Sequence, residues 1–164
     1  MSEAIFTAGL GLPGLGPIAA ADMLAARPAV LVVDDDAAIR MIMADTLRDA
    51  GFDVVEAADA ADAARLLQQR RDFQVMVTDI HMPGATNGYF LARQVRERWP
   101  YVEVLMVSGQ ALPARRDLDL DCDVLCKPFA GIELVGRVAA LARRAAEPEI
   151  GGGFVAGSPP ALRA

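Results

Sequence analysis

Five short apolar runs, most of them followed by a stretch of helical periodicity, constrain this chain more than any other feature. The runs are 29–33, 52–56, 73–79, 102–107 and 122–126, dominated by Val, Ala, Leu and Met. Runs of this length with so little polar alternation read as strands buried on both faces. Helical spacing follows at 37–50, 60–70, 88–98 and 130–145. Strands alternating with helices build a parallel sheet covered on both sides. Right-handed crossovers leave few topologies. The expected fold class is α/β, a doubly wound five-stranded parallel sheet in the order 2-1-3-4-5.

Local chemistry marks the boundaries. Asp36 and Asp59 are N-cap residues for the first two helices, Gly51 closes the first, and Pro100 ends the third. The inward faces are read as Ile39, Met43, Leu47 and Ala50, then Ala63, Leu66 and Leu67, then Leu91 and Val95. In the last helix they are Ile132, Val135, Val138 or Ala139, and Ala142. Segment 111–121 holds Pro113 and alternating acids, which allow a short helix at most.

The chain has 164 residues, which suits one domain with tails. We read 1–27 as a flexible extension with room for a short helix at 18–26, or as a segment that docks on a partner. The domain is 28–145, and 146–164 is a disordered tail rich in Gly and Pro. The extension is broken by Gly and Pro and has no basic residue before Arg27. It therefore lacks the pattern of a secretory signal or a membrane span. A net charge of −6 argues against general affinity for nucleic acid or an anionic membrane. The two cysteines, Cys122 and Cys126, fall on one face of the fifth strand and suggest thiols of a reducing cytoplasm. The expected location is cytoplasmic.

Four strand ends carry unusual polar residues: Asp34 and Asp35 after the first strand, Asp79 ending the third, Ser108 after the fourth and Lys127 after the fifth. Each is ordinary alone, since an Asp, a Ser-Gly or a Lys-Pro after a strand is usually a turn, and Asp34–Asp36 can be a capping run. The ordered set is what is specific. All strand tips of a parallel sheet lie on one edge, where such folds bind ligands. Three crowded carboxylates repel one another. A divalent cation relieves that, and hard oxygen ligands suit Mg²⁺, with Mn²⁺ able to substitute. Asp79, at the tip of the central strand, is the expected nucleophile toward a phosphoryl group. Lys127, the sole lysine beside fifteen arginines, supplies a point charge, and Ser108 supplies a hydrogen bond. His81, the one histidine, is read as lining the pocket mouth while its backbone carbonyl serves the metal.

With those residues in view, the chain resembles the receiver domains of bacterial two-component response regulators, the CheY-like variety of the flavodoxin-like fold. Val32-Val33-Asp34-Asp35-Asp36 matches the family's acid motif, and Thr78-Asp79-Ile80-His81-Met82-Pro83-Gly84 its phosphoacceptor motif. Val107-Ser108-Gly109 and Cys126-Lys127-Pro128-Phe129 match its Ser/Thr and Lys-Pro motifs. The resemblance implies that Asp79 takes phosphate from a histidine kinase or histidine phosphotransfer protein. It makes Asp35 the principal metal ligand, Asp34 a ligand largely through water, and Asp79 and the His81 carbonyl the remaining protein ligands. It also implies a signalling protein rather than an enzyme: a stand-alone receiver, monomeric or weakly dimeric, that docks on a partner or acts as a phosphate shuttle or sink. Three departures stand out. The loop through Ala85-Thr86-Asn87-Gly88 is one residue longer than the commonest form. The segment between Ser108 and Lys127 is short, so the fourth helix is expected to be stunted or irregular. The switch position three before the lysine is Val124, not an aromatic residue. Two rival readings are a haloacid-dehalogenase-like phosphatase with Asp34 as nucleophile, and a degenerate receiver that binds partners without phosphate.

Overall fold

The structure is a computed structural model, and it describes residues 27–82, 87–109 and 122–147. Within these, five strands and four helices run β1 (Ala29–Val33), α1 (Ala37–Asp49), β2 (Asp53–Ala57), α2 (Ala60–Gln69), β3 (Phe73–Asp79), α3 (Gly88–Arg98), β4 (Glu103–Ser108), β5 (Asp123–Cys126) and α4 (Gly131–Ala146). The strands form one parallel sheet in the order β2-β1-β3-β4-β5. That is the doubly wound order expected from the sequence. The expectations for 18–26, for 111–121 and for the Pro83–Thr86 part of the loop fall outside the described residues.

Alternating residues of the same strands feed two separate cores. Val30, Val32, Val75, Val77 and Leu105 face α1 and α4, while Leu31, Val33, Met76 and Met106 face the α2 and α3 side. All nine are fully buried. Each such aliphatic side chain contributes about 1.5–3 kcal/mol on leaving water. The strands therefore read as continuous apolar runs because both faces are covered.

Helix ends follow from local hydrogen bonds. The Asp36 carboxylate accepts from the N–H groups of Ala38 and Ile39, and Asp59 accepts from Asp62. Asn87 caps α3 by accepting from Phe90. Gly51 adopts φ +95°, a left-handed turn that suits glycine, and the chain reverses there into β2. This turn also corrects one expected core position. Ala50 is the C-cap rather than part of the inner face and lies exposed, while Ala44 is buried in its place.

A second correction concerns α4. Ile132 is 73% exposed, and the buried stripe is Leu134, Val138, Leu141 and Ala142. Ile132 lies about 200° round the helix from Leu134. The spacing 132, 135, 138/139, 142 and the spacing 134, 138, 141, 142 overlap, and contact with the sheet selects the second. Strand bounds also shift by one residue: Phe52, Val102 and Cys122 are buried but precede β2, β4 and β5.

Candidate functional site

The C-terminal tips of four strands gather the polar residues singled out in the sequence. Asp34 follows the last residue of β1, Asp79 and Ser108 end β3 and β4, and Lys127 follows the last residue of β5. The register sets them side by side: Val33 pairs with Thr78, Asp79 with Val107, and Ser108 with Cys126. The carboxylates of Asp34, Asp35 and Asp79 each offer an oxygen within 4.8 Å of the others. The Lys127 ammonium stands 3.4 Å from Asp79 Oδ1 and 3.6 Å from Asp34 Oδ2. Asp34, Asp79 and Ser108 are buried, and Asp35 is exposed.

Asp34 is held at nearly every polar atom. Its N–H donates to the Ala57 carbonyl at 3.3 Å. Its Oδ1 accepts from the Asp36 N–H at 2.9 Å, and its carbonyl accepts from the Arg40 guanidinium at 2.6 Å. Among the described residues its Oδ2 is buried without a hydrogen-bond partner, and it stands 3.6 Å from the Lys127 ammonium. Burial pushes the Asp34 carboxyl above the usual carboxylate range. The Asp36 N–H and the charge of Lys127 oppose this, and the charges of Asp79 and Asp35 add to it.

The folded chain therefore binds the Asp34 proton more tightly than the unfolded chain does. The contribution of this group to stability is full below the ordinary carboxylate pKa and is lost as pH rises through the folded-state value. In metal-free buffer, Asp34→Asn is expected to raise the thermal midpoint relative to the parent chain. The gain should be small in acid and grow toward neutral pH. Thermal unfolding across that range checks it, and a gain that shrinks with rising pH contradicts it.

The other expected positions are distributed as follows. His81 is exposed, two residues past Asp79. Val124 is half-buried, pairs in register with Met106 and packs against the α2/α3-side core. Cys122 is buried and Cys126 exposed. The backbone N–H of Lys127 donates to the Ser108 carbonyl at 2.7 Å, and the Lys127–Pro128 bond is cis.

Two further residues belong to the site but were not expected from the sequence. Arg40 reaches back from the first turn of α1 to Asp34 and stands 3.4 Å from Glu56. Gly88 opens α3 directly against the backbone of Asp79, where an added Cβ would meet the Asp79 carbonyl oxygen at 1.8 Å. A lone arginine on an amphipathic helix and a glycine after a turn are both common, and only tertiary distances distinguish these two. Three clustered carboxylates beside an ammonium can bind a hard cation and offer one carboxylate as a nucleophile. The dehalogenase-like reading calls for further acids after the lysine at a strand end, whereas Glu133, the first acid after Lys127, is exposed in the first turn of α4. It is not part of the carboxylate cluster, which is the grouping of His, Cys, Asp and Glu close enough to share a cation among the described residues.

Comparison with known proteins finds the same fold and a matching family. Residues 30–139 match the family described as "Response regulator receiver domain". The response regulator protein FleR of Pseudomonas aeruginosa is 36% identical over 115 residues, which are 67% of this chain and 24% of that protein. The transcriptional regulatory protein PrrA of Mycobacterium tuberculosis is 38% identical over 120 residues, 71% of this chain and 51% of that one. The chain thus spans between 24% and 51% of the length of these curated relatives. Among solved structures, a response regulator receiver protein from Sinorhizobium medicae superposes with a TM-score of 0.67 at 29% identity, covering 73% of this chain and 97% of that one. The chemotaxis protein CheY4 of Vibrio cholerae gives a TM-score of 0.64 at 30% identity, covering 71% and 99%.

Proposed function

The chain belongs to the response regulator receiver family, a signalling family of two-component systems, and from that premise we propose that Asp79 accepts a phosphoryl group from a histidine kinase or histidine phosphotransfer protein. The observation that carries this reading is the contact of the buried Asp79 carboxylate with Lys127 at 3.4 Å, in a cluster with Asp34 and Asp35. The donor set suits Mg²⁺. Every ligand is a hard oxygen, and Asp34 Oδ2 is buried without a hydrogen bond. Asp35 and Asp79 would hold the cation directly, Asp34 largely through water, and the His81 carbonyl would complete the protein ligands. The chemistry that a bound Mg²⁺ supplies is neutralisation of charge on the phosphoryl oxygens.

The chain's own residues do the rest. An Asp79 carboxylate oxygen attacks phosphorus in line. The bond from phosphorus to the donor's imidazole nitrogen breaks, its electron pair stays on that nitrogen, and the ring, protonated on its other nitrogen, leaves as neutral imidazole. Lys127, drawn to two carboxylates before reaction, turns its ammonium to the new phosphoryl oxygens. Ser108 donates a hydrogen bond to another. The strand tips hold Asp79 and Ser108 in place, so that only the Lys127 ammonium has to swing, and this positioning lowers the barrier. Exposed apolar side chains near this edge, Met41 and Ile42 on α1 and Ile132 on α4, suit contact with a protein donor. The phosphorylated chain then signals by protein–protein contact or passes the group on as a shuttle or sink.

Acetyl phosphate with Mg²⁺ is expected to label the full chain. Borohydride reduction of the acyl phosphate, followed by peptide mass mapping, should convert residue 79 and no other acid, and EDTA should prevent it. Reduction mapped to Asp34 or Asp35 would contradict the assignment. Profiling transfer from purified phosphorylated histidine kinases then identifies the donor.

A further inference from the structure

We infer that Arg40 is a positioning residue of the acidic site, holding the peptide between Asp34 and Asp35 in the orientation that presents both carboxylates to Asp79. The inference rests on the reading of the site given above. Asp35 is exposed, so its placement depends on the backbone that carries it. That backbone is fixed at the preceding carbonyl, where Arg40 donates at 2.6 Å. The side chain of Arg40 is itself only 17% exposed and is anchored at a second point, 3.4 Å from Glu56. Glu56 lies on β2, where it pairs in register with Val32, and its other oxygen accepts from Arg48 at 2.9 Å. Two arginines of α1 thus grip one carboxylate of β2, and one of them extends that grip to the acid loop. With its N–H, carbonyl and Oδ1 all engaged, Asp34 has Oδ2 left to face the site. A planar guanidinium reaches two acceptors at fixed angles, which an ammonium does not.

Charge and positioning predict opposite signs, which makes the role testable. Arg40 adds positive charge beside three carboxylates, so by Coulomb's law alone its removal tightens cation binding. If it orients the ligands, its removal weakens binding, as loss of partners behind metal ligands typically does by about 10–100-fold. The experiment measures the Mn²⁺ dissociation constant of the full chain by electron paramagnetic resonance, with circular dichroism to check the fold. Arg40→Met keeps the apolar stem and removes the guanidinium, and it should weaken Mn²⁺ binding roughly tenfold. Arg40→Lys keeps the charge and should fall between Arg40→Met and the parent chain. In acetyl phosphate labelling, Arg40→Met should raise the half-saturating Mg²⁺ concentration while sparing the rate at saturating Mg²⁺. Mn²⁺ binding by Arg40→Met that is unchanged or tighter would overturn the inference. Should Arg40→Met not fold, Arg40→Lys decides, and parent-like affinity in it overturns the inference equally. Asp35→Asn separates the two levels. If Asp35→Asn binds Mn²⁺ like the parent, the metal reading of the site fails. If it loses the ion while Arg40→Met keeps it, only the positioning role fails.

Discussion

Asp79→Asn is expected to leave the chain without phosphoryl label, whatever the donor. The substitution keeps the shape of the side chain and removes the nucleophilic oxygen. Two other carboxylates lie within 4.8 Å, but neither is poised to replace it. Asp34 Oδ1 is committed to the Asp36 N–H, Oδ2 is shared with Lys127, and Asp35 is exposed at the rim. The loss should therefore be complete rather than partial, as read by intact mass after incubation with acetyl phosphate and Mg²⁺. Lys127→Met gives the graded companion result. It removes the ammonium that would face the developing phosphoryl charge, and loss of one such group lowers a rate by about 10²–10³-fold. Paired with Asp34→Asn, the Asp79→Asn variant also separates the receiver from a phosphatase built on Asp34. Label that survives in Asp79→Asn and vanishes in Asp34→Asn assigns the nucleophile to Asp34.

Gly88→Ala should damage the site almost as much without touching a reacting atom. The new Cβ would lie 1.8 Å from the Asp79 carbonyl oxygen and 2.7 Å from its carbonyl carbon. Both are backbone atoms, so no side-chain rotation relieves the clash. That carbonyl accepts from the Thr78 hydroxyl at 3.1 Å, and the Gly88 N–H donates to the Ile80 carbonyl at 3.2 Å. To make room, α3 must retreat or the end of β3 must shift, and either breaks these bonds. Overpacking of this kind costs about 1–3 kcal/mol or more. A carboxylate displaced by even about an ångström loses much of its reactivity, of order a hundredfold. The expected result is a lowered unfolding midpoint together with slow labelling. Parent-like stability and labelling in Gly88→Ala would mean that α3 does not press on Asp79 in solution.

The parts of this architecture that were legible in the sequence share one property: a short-range cause. Apolar runs ending in a charged or hydroxylated residue mark the strand tips, and a parallel sheet then brings the tips together without any distance being known. Asp34, Asp79, Ser108 and Lys127 could be named on that basis, and so could the caps Asp36 and Asp59. Arg40 and Gly88 could not, because their significance is a contact made across elements, with Asp34 and Glu56 in one case and Asp79 in the other. Ile132 failed for a related reason. Two helical stripes on α4 were equally apolar, and only docking against β3 and β4 chose the one through Leu134 and Leu141.

The ammonium of the site follows directly on β5, an edge strand of the sheet and the shortest of its five, at four residues. Strands at such positions fray first, opening on a free-energy scale well below global unfolding. Such an opening would withdraw Lys127 from both of its carboxylates and leave them facing one another without compensation. Amide exchange at Leu125 to Lys127 therefore times the disarming of the pocket. A ligand that bridges Lys127 to the acids would slow that exchange as it stitches the sheet margin shut.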